Sequence, residues 1–327
     1  MNMASLIDNT EKAGYSSRLL LLDPGRACYP QFCDTGKGSG VCDSLEAVPQ
    51  GARHEGGRMN YFVEGLQGSG KSTLTGRLER MLPGYAAVRE GEYSPVELAW
   101  CACMDEAAYA DILRRYAGLR AQIEAKTHEE RGRRIVCYTK VETDDRGFYD
   151  DLSRYEIYNN RVPDADFKAV ILERFRNWNT DQNIFECSLF QNIVEEMMLF
   201  KNASDEEIIA LYRLVREALE GREYHICYLQ TNDVRESLRV IRRERTDGQG
   251  NERWFAMMQE FFDASPYAVS RGIGGEEALI RHFEHRQALE LRICRELFAD
   301  RTTVLASKGY TDEEIYGMEE KANCRKS

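Results

Sequence analysis

The feature that most constrains this chain is a glycine-rich motif that follows a short apolar run. The motif has the pattern Gly-x4-Gly-Lys-Ser and reads Gly65-Leu66-Gln67-Gly68-Ser69-Gly70-Lys71-Ser72. Residues 59–64 predict a buried strand before it, and residues 72–81 predict a helix after it. In this order, the glycines let backbone N–H groups turn inward and the helix N-terminus favours negative charge. The segment therefore predicts a phosphate-binding P-loop.

Side-chain chemistry suggests a role for each polar member of the motif. Lys71 is placed to reach the β- and γ-phosphates of a nucleotide, and the Ser72 hydroxyl is placed to bind Mg²⁺. We therefore expect ATP and Mg²⁺ as cofactors. The residues predicted to bind the nucleotide are Gly65, Leu66, Gln67, Gly68, Ser69, Gly70, Lys71, Ser72 and Thr73.

Short apolar runs alternate with longer helical patterns after residue 59. The predicted strands are residues 61–63, 86–88, 184–185, 224–229 and 302–306. One of the helices between them carries an apolar stripe at Ile208, Tyr212, Val215 and Leu219. This alternation predicts an α/β chain with a three-layer P-loop NTPase fold, in which helices cover both faces of a central parallel sheet of about five strands.

Net charge, apolar run length and cysteine content limit the classes of partner and the compartment that we expect. The net charge of -11 argues against nucleic-acid binding through an overall positive field. No apolar run is long enough to span a membrane, and no secretory signal pattern is present. Ten cysteines scattered through apolar segments indicate a reducing compartment, so we expect a cytoplasmic protein. The sequence leaves the oligomeric state open, a homodimer included.

Two segments near the motif carry a family resemblance. The first runs Phe62-Val63-Glu64 into the motif and on to Thr73-Leu74, and it resembles the opening of the thymidylate kinase and deoxynucleoside kinase families. The second is Arg89-Glu90-Gly91-Glu92-Tyr93-Ser94-Pro95-Val96, with Trp100 downstream. It is similar to the Arg-Glu-Pro stretch of the former and the Glu-Pro-Val…Trp stretch of the latter. This resemblance implies that Glu90 or Glu92 is the general base for an acceptor hydroxyl. The alternative is a solvated acidic loop.

A third segment, Asn183-Ile184-Phe185-Glu186-Cys187-Ser188, is similar to the strand-end Glu-Arg-Ser or Asp-Arg motif of these families. The resemblance implies that Glu186 helps to hold the metal or the acceptor. Cys187 occupies the position of the family's arginine, which is a departure that bears on the acceptor. Other arginines are candidates to replace it in space, and no spacing separates them: Arg154, Arg161, Arg174 and Arg176.

The fourth segment, residues 234–245, resembles the lid of these kinases, where arginines close over the phosphates. Arg235, Arg239 and Arg242 share one helical face because they are four and three residues apart. The resemblance implies that Arg242, Arg243 and Arg245 neutralise charge on the transferring phosphoryl group. The alternative is a solvated helix whose arginines pair with its own glutamates.

Together these segments predict three parts of the chain: an N-terminal extension, a single large domain and a C-terminal tail. Residues 1–58 are predicted to be a poorly ordered N-terminal extension, with Met59 a candidate for the native start. Residues 59–316 are predicted to form a P-loop kinase-like domain with a mainly helical insertion at about 105–182 and a lid at about 233–252. Residues 317–327 are predicted to be a C-terminal tail.

The function implied by the resemblance is ATP-dependent phosphoryl transfer to a nucleoside-like or nucleotide-like small molecule. Lys71, Glu90, Glu92, Glu186 and the lid arginines would be its catalytic residues, with Ser72 and Glu186 on the metal. The alternatives are an ATPase, a kinase for an unrelated acceptor, and a non-catalytic ATP-binding sensor or partner-binding module. A GTPase is disfavoured because the chain has no Asn-Lys-x-Asp segment.

Overall fold

The computed structural model describes residues 59–246 and 250–323. In this part of the chain the strands are β1 (Asn60–Gly65), β2 (Ala86–Val88), β3 (Ala102–Met104), β4 (Thr127–Glu130), β5 (Arg133–Val136), β6 (Asn183–Glu186), β7 (Tyr224–Gln230) and β8 (Thr302–Ala306). The first six helices are α1 (Lys71–Met81), α2 (Glu106–Arg115), α3 (Arg120–Ala125), α4 (Arg146–Ser153), α5 (Asp164–Asn177) and α6 (Gln191–Glu195). The others are α7 (Asp205–Ala218), α8 (Val234–Glu244), α9 (Arg253–Asp263), α10 (Pro266–Arg271), α11 (Glu276–Leu297) and α12 (Asp312–Asn323).

The main sheet is parallel and has the order β2-β6-β1-β7-β8. Tyr61 of β1 pairs with Ile184 on one side and with His225 on the other, so β1 lies in the middle. All five strands predicted from the apolar runs lie in this sheet, which confirms the α/β class and the parallel sheet. Because the strands are parallel, their carboxyl ends meet at one edge, where open α/β sheets bind ligands.

Helices cover both faces of this sheet. Tyr61 and Val63 belong to a buried cluster with Leu74 and Leu78 of α1, whereas Phe62 belongs to the cluster formed with α5, α7 and α11. The alternation follows from the strand period of two, which sends successive side chains to opposite faces. The two faces are therefore separate hydrophobic layers.

The helix predicted from the apolar stripe is α7. Ser204 caps it: the Ser204 hydroxyl accepts from the N–H of Glu207, and the Glu207 carboxylate accepts from the N–H of Ser204. Ile208, Tyr212 and Val215 are buried in the same hydrophobic layer as Phe62. The predicted apolar face is confirmed, and the helix ends before Gly221, whose φ is 77°.

Residues 102–155 form a smaller unit with a separate core. Its strands pair antiparallel in the order β3-β5-β4, and its apolar side chains form one buried cluster. Within the predicted insertion at about 105–182, the helices α2, α3, α4 and α5 outweigh the strands β4 and β5, and β3 lies just before it. Strand β5 ends at Val136, and a 3-10 turn follows over Tyr138–Lys140. Helices α4 and α5 follow as separate elements, and Pro163 occupies the N-cap position of α5.

The ends of the chain and of the lid are only partly described. Residues 1–58 lie outside the described residues, as do residues 247–249 of the predicted lid. Helix α8 accounts for the first part of that lid. Helix α12 continues to Asn323, so the predicted tail begins as helix, and Met318 is buried in the cluster that contains Cys227. Among the described helices, none is long and apolar enough to cross a membrane.

Candidate functional site

The glycine-rich loop, residues 65–70, joins the carboxyl end of β1 to α1. Gly65 has a φ of 140°, and a Cβ there would lie 2.6 Å from the carbonyl oxygen of Leu229 on β7. Gly70 caps α1 with a φ of 96° and makes no side-chain cap hydrogen bond. The N–H groups of the first turn of α1 therefore have neither an intrahelical nor a capping acceptor. This arrangement leaves main-chain donors available to an anion at the helix N-terminus.

Serine and lysine side chains complete the loop. The buried hydroxyl of Ser69 has no hydrogen-bond partner among the described residues, and the Ser69 carbonyl oxygen accepts from Ser307 Oγ at 2.9 Å. Lys71 folds back over the loop and donates to the carbonyl oxygens of Gly65 at 3.0 Å and Leu66 at 2.7 Å. A carbonyl oxygen attracts the Lys71 ammonium group less strongly than a phosphate oxygen would, because the phosphate carries a full negative charge.

The predicted metal ligands lie together. Ser72 Oγ donates to Glu186 Oε1 at 2.5 Å, which joins the start of α1 to the end of β6. Burial raises the pKa of Glu186, the hydrogen bond from Ser72 opposes this shift, and the charge of Glu90 adds to it. A hydroxyl and a carboxylate at this distance are the hard oxygen donors that Mg²⁺ prefers, with phosphate oxygens and waters completing its shell.

No metal site built from protein ligands alone is present in the described part of the chain, where no three or more His, Cys, Asp or Glu side chains lie together. Mg²⁺ in phosphoryl-transfer sites is held by one or two protein groups together with substrate phosphates. Ser72 and Glu186 thus fit a nucleotide-bound Mg²⁺, and this pair is what the sequence predicted.

A second carboxylate, Glu64, lies beneath the loop at the end of β1. It is fully buried, and its oxygens accept from the N–H groups of Leu189 at 2.6 Å and Gln191 at 3.4 Å. Burial raises the pKa of Glu64 to about 7, the Leu189 hydrogen bond lowers it, and the charge of Glu290 raises it further. Glu64 therefore anchors the start of α6 to the strand that leads into the loop.

The structure distinguishes between Glu90 and Glu92. Glu90 Oε1 accepts from Trp100 Nε1 and from Gln191 Nε2, each at 3.1 Å, and its charge acts on Glu186. Glu92 is exposed and accepts from the N–H of Arg89 at 2.9 Å, which closes a local turn. The carboxylate brought to the carboxyl edge of the sheet is Glu90.

Cys187, at the position of the family's arginine, is buried and has a φ of 59°. Burial raises the pKa of its thiol well above the ordinary value, so the side chain is neutral. Of the arginines considered as replacements, Arg174 is buried but bound to Glu130 and to the carbonyl oxygen of Ser94. It braces the loop that carries Glu90 and Glu92, and it does not stand where Cys187 stands.

The three lid arginines bind protein partners. Arg242 pairs with Glu252 and Glu276, and its guanidinium lies 4.0 Å from the Phe255 ring. Exposed Arg243 lies 3.8 Å from Glu236. The Arg245 guanidinium lies 4.6 Å from the Trp254 ring. In this conformation each of the three arginines contacts another protein side chain. That they face the phosphates therefore stays a prediction.

Helix α8 nevertheless contacts the loop. A Cβ built on Gly68, whose φ is 72°, would lie 2.1 Å from Ile241 Cδ1. Lys308, in the loop after β8, lies near Gly70 and pairs with Glu244 at 3.2 Å. The predicted lid therefore touches the glycine-rich loop through Ile241 and is joined by Glu244 to the segment after the last strand.

Sequence reasoning missed a cluster on α11. His282, Arg286 and Glu290 are buried, and Arg286 Nη2 donates to Gln67 Oε1 of the loop at 2.8 Å. The signal was present, because the three are spaced four residues apart and so share one face with apolar residues of the same helix. Gln191, the first residue of α6, is likewise a partner of Glu90.

No protein-family model matches this chain, and no curated protein matches it. Its chemistry must therefore be inferred from the cluster that surrounds the glycine-rich loop: Lys71, Ser72, Glu64, Glu90 and Glu186.

Proposed function

We propose that this chain is a kinase that transfers a phosphoryl group from ATP to a nucleoside-like or nucleotide-like small molecule. The observation that carries the proposal is the 2.5 Å contact between Ser72 and Glu186, made beside a loop that ends in an uncapped helix N-terminus. A nucleotide-binding loop needs these parts together: main-chain donors, a lysine and two oxygen ligands for Mg²⁺.

The phosphates would occupy the concave side of the loop. Lys71 would exchange the carbonyl oxygens of Gly65 and Leu66 for phosphate oxygens, and the Ser69 hydroxyl would gain the partner that it lacks among the described residues. Bound Mg²⁺ would neutralise charge on the phosphates. Ser72 and Glu186 would hold it, and the N-terminus of α1 would stabilise the negative charge that remains.

The acceptor would lie on the side of β2 and β6. Trp100 and Gln191 both donate to Oε1 of Glu90, which orients this carboxylate and leaves Oε2 to accept a proton from an acceptor hydroxyl. If the acceptor is itself a phosphate, no proton needs to be removed, and Glu90 only positions it. Arg174 would hold the same loop by binding the Ser94 carbonyl oxygen.

A second function is favoured by two observations. Neutral Cys187 stands where an arginine was expected, and Arg242 is held by Glu252 and Glu276. A chain that binds ATP without transferring its phosphate, as a sensor or partner-binding module, needs no phosphate-facing arginine. The kinase is preferred because Glu90 is oriented by two donors, and a sensor would not require an oriented carboxylate.

An acceptor screen tests the proposal. The purified protein is mixed with Mg²⁺ and ATP, and ADP release is followed in the presence of nucleosides and of nucleoside monophosphates. We expect at least one acceptor to raise ADP release, and Glu90→Gln to lower the stimulated rate about 100-fold or more if that acceptor is a hydroxyl. ATP binding without stimulation by any acceptor would support the sensor and contradict the kinase.

A further inference from the structure

Arg286 joins the glycine-rich loop to the helical layer. Its side chain is fully buried, and Nη2 donates to Gln67 Oε1 in the loop at 2.8 Å. Its Nη1 donates to Glu195 of α6, and its Nε lies 3.2 Å from Glu290 Oε1 one turn along α11. One guanidinium therefore contacts the loop and two helices.

The helical side of this contact is firmly held. Glu195 also bonds to His282 Nε2 at 2.8 Å. Burial alone would raise the pKa of Glu195, but the charges of Arg286 and His282 outweigh it and hold this pKa at about 2. Glu290 accepts from the hydroxyl of Tyr228 on β7 at 2.6 Å. The guanidinium is thus fixed from α6, from α11 and, through Glu290, from the sheet.

On the loop side, Arg286 contacts the side-chain amide of Gln67. Gln67 lies between Gly65 and Gly68, in a segment that includes several residues with positive φ. A loop of this kind has many conformations when nothing holds it, and ordering it costs free energy when a ligand binds. A hydrogen bond from a charged donor is stronger than one between neutral groups, and the donor here is buried and bonded to Glu195.

We infer that Arg286 is a positioning residue for polyphosphate binding, which acts through Gln67 to hold the glycine-rich loop in its binding conformation. The ligand class is the polyphosphate group of a nucleotide, and this inference rests on the proposed function. The benefit is preorganisation: the triphosphate does not have to order the loop when it enters. Arg286 is too deeply buried to be counted among the catalytic residues.

The test is a double-mutant cycle. Gln67→Met removes the acceptor and keeps the length of the side chain, whereas Arg286→Lys keeps the charge and loses the fork-shaped donor set. Affinities of both single variants and the double variant for Mg·ATP and for inorganic tripolyphosphate are measured by isothermal titration. Each single change is expected to weaken both ligands about 10- to 100-fold, as expected for one hydrogen bond to a charged donor.

The double variant is expected to bind both ligands only slightly less tightly than the single variant with the lower affinity, because both changes remove the same contact. Losses that simply add would overturn the inference, since they would show two independent effects. A loss for ATP that is absent for tripolyphosphate would also overturn it, since the loop is proposed to bind phosphates. A merely structural role of Arg286 would not produce this coupling.

Folding is controlled separately. Gln67→Met leaves the contacts of Arg286 with Glu195 and Glu290 in place, and its thermal unfolding is compared with that of the wild-type protein. The matched control is Gln122→Met, at an amide that donates to the carbonyl oxygen of Glu142 at 3.2 Å in the smaller unit. If Arg286→Lys fails to fold, the Gln67→Met and Gln122→Met pair decides alone: an unchanged affinity in Gln67→Met overturns the inference.

The inference and the proposed function can fail separately. Wild-type protein that binds neither ATP nor tripolyphosphate would overturn both. Wild-type protein that binds ATP, together with a Gln67→Met variant that binds it equally well, would overturn the role of Arg286 and leave the nucleotide site in place.

Discussion

At the scale of single residues, the proposed chemistry depends on the position of Glu186. This side chain is buried at the end of β6, and its Oε1 accepts from the hydroxyl of Ser72 at the start of α1. Burial raises the pKa of Glu186 and so opposes its ionisation. A nearby cation would stabilise the ionised carboxylate. A nucleotide-bound Mg²⁺ would supply that charge.

Glu186→Gln is expected to separate metal binding from nucleotide binding. The amide keeps an acceptor for Ser72 and removes the charge, so the affinity for Mg·ATP should fall about tenfold or more while the affinity for ATP in EDTA changes little. Titrations with and without Mg²⁺ check this. Glu313→Gln, on the exposed first turn of α12, is the control. Equal losses in both conditions would argue against a metal role for Glu186.

Glu97 allows a prediction about pH. It is buried and accepts from the N–H of Ala99 at 2.5 Å, and burial raises its pKa from 4.5 to about 8. A carboxyl group with a raised pKa in the folded state contributes stability that is fully present below pH 4.5 and is lost as the pH rises through about 8. The burial of neutral Glu97 should therefore favour the folded state in mild acid.

The wild-type protein should accordingly be less stable at about pH 8 than at about pH 5.5, with Glu97 contributing on the order of 2 kcal/mol to the difference. Glu97→Gln, which cannot ionise, should show a smaller difference. Urea unfolding at the two pH values measures both, again with Glu313→Gln as the control. A variant whose pH dependence matched that of the wild type would show that Glu97 is not the titrating group.

At the scale of elements, helix α8 packs directly against the glycine-rich loop. Gly68 leaves room for Ile241, and any side chain at position 68 would collide with it. The positive φ of Gly68 adds a further cost for other residues. The loop and the helix are therefore shaped to one another, so a movement of α8 would be transmitted to the loop.

Gly68→Ala should destabilise the protein by about 1–3 kcal/mol more than Gly84→Ala does. Gly84 also has a positive φ, but a Cβ there meets no atom within 4 Å, so that variant reports the backbone cost alone. Adding Ile241→Ala to Gly68→Ala removes the clash, and the double variant should be more stable than the sum of the two single effects. Strict additivity in urea unfolding would contradict the proposed contact.

Helix α6 and Glu196, which follows it directly, show how one short segment contacts several neighbours. Glu195 and Glu196 are adjacent and both buried, yet Glu195 binds Arg286 whereas Glu196 pairs with Lys201 and accepts from the N–H groups of Asn159 and Asn160. Successive helical residues point about 100° apart, so the pair faces two different neighbours.

At the scale of the whole molecule, the central sheet could be predicted from the sequence, whereas strand β4 of the smaller unit could not. Runs such as residues 224–229 are apolar and flanked by helical patterns, which is the pattern of a strand buried on both faces. Strand β4 reads Thr-His-Glu-Glu and is largely solvent-exposed, so no apolar period marks it. Its existence depends on pairing with β5, a non-local contact that sequence periodicity does not record.

The candidate site shows the same division. The loop, Lys71, Ser72 and Glu186 were predictable because their chemistry is tied to a local motif or a strand end. Arg286 was not, because it reaches Gln67 from a helix more than two hundred residues away along the chain. Charged side chains within an otherwise apolar helical face, as at His282, Arg286 and Glu290, are the signal that such contacts leave in a sequence.

The central claim is that residues 65–72 bind the triphosphate of a nucleotide, and titration of the protein with Mg·ATP tests it most directly. We predict saturable binding by the wild-type protein and by Lys168→Ala, whose lysine pairs with Asp164 on α5. Lys71→Ala should lose about 100-fold or more in affinity, because it removes a charge-assisted contact to the phosphates. Binding that is absent from the wild-type protein, or equally strong in Lys71→Ala, would contradict the claim.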